Sequence, residues 1–170
     1  MTTIDSLPNE LKTVKTLLYD TCGFNLTNLV VSTESLEYEA CSFELNTNKI
    51  QYRLSKITPT KTGQFVTIWK RNKDGITQPF DISDDFDFII IAAKREHDFG
   101  QFIFPKMILA EKGIITSNNK EGKRGIRVYP PWDEVTSKQA KQTQLWQTQY
   151  FVPINDGPIP NSDFIRKLFV

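Results

Sequence analysis

The run Phe86-Asp87-Phe88-Ile89-Ile90-Ile91-Ala92-Ala93 constrains the fold more than any other stretch. It is too short to cross a bilayer, and it lacks the strict alternation of a strand with one wet face. It predicts a strand buried on both faces, which needs packing layers above and below it. The rest of the chain supplies candidates for those layers. Leu7, Leu11, Val14, Leu17 and Leu18 recur at helical spacing, with Ser6 as cap, Pro8 in the first turn and Cys22-Gly23 as a stop, so a helix is expected over 8–21. Strands are expected over 38–45, 101–104 and 125–129, and Ile114-Ile115-Thr116 starts another. Pro105 opens a helix that Gly113 ends. A Gln-rich helix is expected over 133–150, and Asn155 to Pro160 reads as a rigid turn before a short amphipathic end. This order predicts an α+β or mixed α/β fold in one domain, residues 1–170.

Residues 50–71 carry the alternation of a half-buried strand twice: Ile50, Tyr52 and Leu54, then Val66 and Ile68. Between them Thr58-Pro59-Thr60-Lys61-Thr62-Gly63 has turn chemistry, so the stretch predicts one hairpin. With the strand before it, the hairpin predicts a three-stranded antiparallel meander.

Charge is sorted along the chain. Between Lys49 and Lys73 stand seven cations and no acid, whereas Asp74 to Asp98 holds seven acids and two cations. The net charge is only +1, so any affinity for polyanions must come from a local patch. A basic hairpin with Phe65 and Trp69 can hold phosphates and stack bases. Lysines also protect edge strands from aggregation, and both rings can equally be core. Lys123, Arg124 and Arg127 form a second basic cluster, with Tyr129 and Trp132 beside it.

Several chemistries are excluded. His97 is the one histidine, and nothing near it resembles a nucleophile elbow. Neither a zinc constellation nor a phosphate-cradling GxxxxGK[ST] or GxGxxG is present. Cys22 and Cys41 lack metal-type spacing, and no secretory signal opens the chain, which predicts reduced thiols and a cytoplasmic protein. Carboxylates remain. Asp81, Asp84, Asp85 and Asp87 are candidates for Mg²⁺ or form a solvated acidic loop, and Glu39 and Glu44 fall on opposite faces of a regular strand.

Four stretches, KITPTKTGQFVTIWKR (56–71), GQFIFPK (100–106), GKRGIRVYPPWD (122–133) and QAKQTQLWQTQYF (139–151), resemble the MepB family, and the likeness spans roughly 38–151. It implies a PD-(D/E)XK nuclease-like fold, a central mixed sheet with an antiparallel hairpin flanked by helices. It also implies a gene beside a multidrug efflux pump and its repressor. Active members of that fold bind a divalent metal with an acid on one strand and (D/E)-x-Lys on the next. Here Lys70 of Ile68-Trp69-Lys70 meets the lysine position, but Ile68 stands where the acid would be. The register Ala92-Ala93-Lys94 also lacks an acid.

The expectation is therefore a nucleic-acid-binding protein that needs no metal or other cofactor and does not hydrolyse its ligand. Lys56, Lys61, Lys70, Arg71, Lys123, Arg124 and Arg127 would contact phosphates. Trp69, Tyr129 or Trp132 would stack on bases, which suits single-stranded DNA or RNA better than duplex. Gln64 and Gln101 are polar contacts in the same groove or hydrogen bonders at strand starts. Two alternatives stand. One is a Mg²⁺-dependent nuclease built on Glu44, Asp87 and Lys70; the other is an interaction module for an acidic protein partner.

Overall fold

The computed structural model describes residues 4–154 and 162–169. After a helical turn at Ile4–Ser6 come α1 (Asn9–Val14) and a π-helical turn (Lys15–Tyr19). Next are β1 (Leu26–Val31), β2 (Cys41–Leu45), β3 (Asn48–Leu54), β4 (Lys56–Ile57), β5 (Gln64–Thr67), β6 (Trp69–Arg71) and β7 (Thr77–Pro79). The chain continues through β8 (Phe88–Arg95), β9 (Asp98–Pro105), α2 (Lys106–Glu111), β10 (Gly125–Val128), α3 (Lys138–Gln147), β11 (Phe151–Pro153) and α4 (Ser162–Leu168). The expected turn at Asn155 to Pro160 lies outside the described residues.

The central sheet runs β1-β2-β3-β8-β9-β11. It is mixed, because β3 and β8 pair in parallel while its other neighbours are antiparallel. β8 is buried from Phe88 to Ala93, as the apolar run predicts. Phe88, Ile90 and Ala92 meet Leu11, Val14, Leu18 and Ile165 from α1, the π turn and α4. Ile89, Ile91 and Ala93 meet Leu109 of α2, Val66 of β5 and Ile126 and Val128 of β10. Each such isoleucine contributes about 2 kcal/mol relative to an exposed one. The fold is thus a mixed sheet with helices on one face and a smaller sheet plus helices on the other.

The predicted hairpin is divided. Residues 48–54 stay in the central sheet, and only Lys56–Ile57 pairs with β5, across the turn that Gly63 closes with φ +82°. Ser55 makes the break. Its N–H and its Oγ both donate to the carbonyl of Ala92, and it lies 2.7 Å from Gln64 Oε1, so the chain leaves the central sheet there. The meander is consequently β1-β2-β3, with β1 from a stretch that has no clear period, and β5 belongs to the second sheet, β10-β5-β4.

Smaller corrections follow the hydrogen bonds. Pro8, not Ser6, is the cap of α1, and no side chain caps it. The strand expected from residue 38 starts at Cys41, after a 3₁₀ turn at Leu36–Tyr38. Ile114 to Thr116 forms a single bridge to Asp81 and no strand. The Gln-rich helix begins at Lys138, where Ser137 Oγ accepts from the Ala140 N–H at 3.1 Å.

Glu39 carries a testable cost. It sits at φ +50°, and its Oε2 is buried without a partner. Burial, and then the charge of Glu10, push its carboxyl above the usual range. A raised native value favours the folded state below the unfolded pKa of about 4.3, and that advantage is lost as pH rises through the native value. Glu39→Gln is therefore expected to raise Tm at pH 7 and to leave it unchanged at pH 4 and below, in paired thermal melts. An equal shift at both pH values would contradict the assignment.

Candidate nucleic-acid interface

The antiparallel pair β5–β10 organises the basic residues. Its register sets Arg127 opposite Phe65 and Gly125 opposite Thr67, and β4 continues the row with Lys56 opposite Phe65. Alternation sends Val66, Ile126 and Val128 into the core and leaves Phe65, Arg127 and Tyr129 on the outer face. A Cβ at Gly125 would lie 2.5 Å from Phe65 Cζ, so the glycine lets that ring cross the strand. Gly63 does the same for the Tyr129 ring, 2.7 Å from where its Cβ would be.

Helix α3 forms the facing wall. Gln147 Nε2 donates to the Arg127 carbonyl at 3.0 Å, and Gln147 Oε1 accepts from the Tyr129 N–H at 2.8 Å. Gln144 Nε2 donates to the carbonyls of Pro130 and Asp133, each at 2.9 Å. The glutamines thus fasten the helix to β10 and the loop after it. The groove between them encloses about 500 Å³. Lys61, Lys112, Lys123 and Arg127 line it, with the rings of Phe65, Tyr129 and Trp146, and among the described residues no Asp or Glu reaches its wall. The start of α3, at Ser137, Gln139 and Ala140, adds the positive end of a helix dipole. Arg127 donates to Thr62 O at 3.2 Å and Thr58 Oγ1 at 2.7 Å, which braces the loop carrying Lys61. The Lys112 ammonium rests 5.5 Å from the centre of the Trp146 ring.

The other expected residues lie elsewhere. Lys56 pairs with Glu37 and stands over the Tyr38 ring. Lys70 pairs with Asp84, Arg71 with Glu34 at 2.6 Å, and Arg124 with Glu121 at 3.2 Å. Arg124 also donates to Thr77 O, opposite Arg71 in the β6–β7 hairpin. The two basic segments therefore meet along one side, but these cations already hold carboxylates. Trp69 is half-buried under the Arg71 guanidinium, 5.2 Å away. Trp132 packs edge-on against Phe151, its Nε1 buried without a partner, beside a depression where Asp133 and Glu134 offset Lys61 and Arg95. Gln64 and Gln101 are both buried. Gln64 Nε2 donates to Lys94 O, and Gln101 Oε1 accepts from the Tyr19 hydroxyl.

The acids of the nuclease alternative do not gather with Lys70. Glu44 lies opposite Lys49 on β3 and bonds Asn28, while Asp87 accepts the Lys49 N–H at 2.8 Å. The Lys49 ammonium, bonded to Asp85 at 2.5 Å, is held above its ordinary value first by that hydrogen bond and then by the charges of Asp85, Glu44 and Asp87. Among the described residues no group of three or more His, Cys, Asp or Glu is arranged to hold a metal, and no helix is long and apolar enough to cross a membrane. Lys70 belongs to β6, outside the central sheet, so Ile68-Trp69-Lys70 is not the strand beside β2. That strand is β3, where Gln51 stands opposite Ser42 and Arg53 follows two residues on.

Sequence reasoning missed Lys112 and placed Trp146 only within the Gln-rich helix expected over 133–150. Their helical context was legible; that Lys112 at the end of α2 and Trp146 of α3 share a groove was not.

The geometry can be set beside known proteins. The MepB-like family model matches residues 32–153. The crystal structure of MepB shares 33% identity, covering 89% of this chain and 100% of that one, with a TM-score of 0.76. The bacterial homing endonuclease I-Ssp6803I aligns at 14% identity over 75% of this chain and 80% of that one, with a TM-score of 0.41. No curated protein gives a significant match. The family match over most of the chain, joined to the MepB structure, makes this protein a member of the MepB-like family.

Proposed function

We propose that this protein binds single-stranded nucleic acid, DNA or RNA, in the groove between β10 and α3, without hydrolysing it and without a metal cofactor. The carrying observation is a groove of about 500 Å³ that, among the described residues, is lined by four cations and three rings and by no carboxylate. Lys61, Lys112, Lys123 and Arg127 neutralise backbone phosphates, and Tyr129 and Trp146 offer faces to unpaired bases. The absence of hydrolysis is read from β3. Where active members of the nuclease-like fold carry an acid and a lysine two residues apart, this strand carries Gln51 and Arg53, a neutral amide and a cation that bring no carboxylate charge to a divalent ion. The cytoplasm and the multidrug efflux operon implied by the family resemblance are the setting we propose.

Retardation of a labelled single-stranded oligonucleotide tests this. Four phosphate contacts predict a slope of log affinity against log salt near −3, at roughly 0.7 per contact. The oligonucleotide should stay intact in Mg²⁺ or Mn²⁺. Product bands that vanish with Glu44→Ala or Asp87→Ala would instead establish the nuclease. No retention even at low salt would point to a protein partner.

A further inference from the structure

A second depression, of about 300 Å³, opens where β6 passes the central sheet at β2 and β3, and it shares no lining residue with the groove. Ser42, Gln51, Arg53, Trp69, Lys70 and Arg71 are in its wall. Arg53 is the anomaly. It is 6% exposed and forms no ion pair among the described residues. One nitrogen donates to the carbonyl of Tyr52 at 2.8 Å, Nε has no partner, and the guanidinium lies 5.9 Å from the centre of the Phe80 ring. Burial lowers its pKa to about 10, with Cys41 opposing, so it remains charged at neutral pH. A buried charge without a counter-ion is costly, and a fold keeps one where a ligand supplies the partner.

We propose that this depression is a site for a single phosphate group, with Arg53 as its anchoring cation. The charge balance favours one oxyanion. Glu34 in the same wall takes Arg71, and Asp84 takes Lys70, which leaves the one formal charge of Arg53 to be matched. The planar fork of donors suits two phosphate oxygens, Ser42 and Gln51 add neutral donors, and Trp69 stands at the same wall to flank an attached base. The phosphate is carried by a strand or arrives free, and the two sources separate experimentally.

Calorimetric titrations of the intact chain use inorganic phosphate, a 5′-mononucleotide, and short oligonucleotides with and without a 5′-phosphate. Wild type should bind at least one of these, and Arg53→Met should weaken that binding at least about tenfold, the scale of a lost charge-assisted hydrogen bond pair. Its Tm should hold or rise, because a buried unpaired charge is removed. Gln51→Glu, which sets a carboxylate beside Arg53, should weaken the same binding without depending on how Arg53→Met folds. Loss confined to the 5′-phosphorylated strand assigns a terminal phosphate, loss with both strands a bridging one, and loss with phosphate or the mononucleotide alone a free ligand. Binding unchanged in both variants, or no binding of any probe by wild type, overturns the proposal. Replacing Lys61, Lys112 and Lys123 alters only the groove and Arg53→Met only this depression, because the two share no lining residue, so this site and the groove fail separately.

Discussion

Replacing Lys61, Lys112 and Lys123 together by glutamate is expected to lower affinity for a single-stranded oligonucleotide by on the order of a hundredfold at low salt, measured by fluorescence anisotropy. These three supply most of the positive charge of the groove between β10 and α3, and none forms an ion pair among the described residues. Their charge is therefore free for phosphates, and reversing it turns attraction into repulsion. Arg127 is left in place because it braces the loop through Thr58 and Thr62. Stability should change little, since Lys61 and Lys123 are exposed. The informative contrast is Lys70→Gln. Its ammonium is already matched by Asp84, so its loss should alter affinity by less than about threefold. Equal effects from the two variants would mean that the strand follows the β6–β7 hairpin instead of the groove, and no effect from the triple variant would remove the groove from consideration.

That contrast also marks what the sequence could and could not convey. Lys70 and Lys123 look alike in a charge plot, and each is followed directly by an arginine. They differ because Asp84 reaches one of them, and such partners are set by the packing of distant segments: Asp84 is fourteen residues from Lys70, and Glu34 thirty-seven from Arg71. Local chemistry was readable. The two-sided burial of β8 and the helix opened by Pro105 and ended at Gly113 both follow from a few adjacent residues. The break at Ser55 was not readable, because the alternation of Ile50, Tyr52 and Leu54 records which face is apolar and not which strand lies alongside. The same limit hid the strand beside β2. Once β3 is recognised there, Arg53 stops looking like an outward residue of a hairpin and becomes a buried cation without a counter-ion.

The glutamines of α3 make a related point. A Gln-rich helix suggests a solvated face, yet Gln147 is almost fully buried and satisfies backbone groups on both sides of Val128. Backbone at the end of β10 needs partners once it is removed from water, and a long neutral amide can donate to one residue and accept from another. The wall of the groove is therefore held by uncharged hydrogen bonds, with no carboxylate needed to fasten the helix.

Gly100→Ala is expected to cost about 3 kcal/mol or more of stability. Gly100 lies on β9 between Ala93 of β8 and Pro153 of β11. A Cβ there would stand 2.7 Å from the Val152 carbonyl oxygen and would enter the Phe151 ring. Neither neighbour has room to retreat. The carbonyl is part of the backbone of β11, and the ring is held edge-on by Phe102 at 4.9 Å and Trp132 at 5.7 Å. Relief therefore requires moving β11 off the edge of the central sheet, and with it the chain that links α3 to the sheet. For a domain of this size the loss corresponds to a fall in Tm of roughly 6–12 °C. Gly75→Ala separates crowding from backbone preference. Gly75 has φ +79° with nothing within 4 Å of a Cβ, so its substitution should cost only about 1 kcal/mol from the left-handed backbone. Urea titrations of both variants measure the difference directly. A Gly100→Ala protein within 1 kcal/mol of wild type would show that β11 is not clamped where the ring contacts put it, and the placement of Trp132 against Phe151 would have to be abandoned with it.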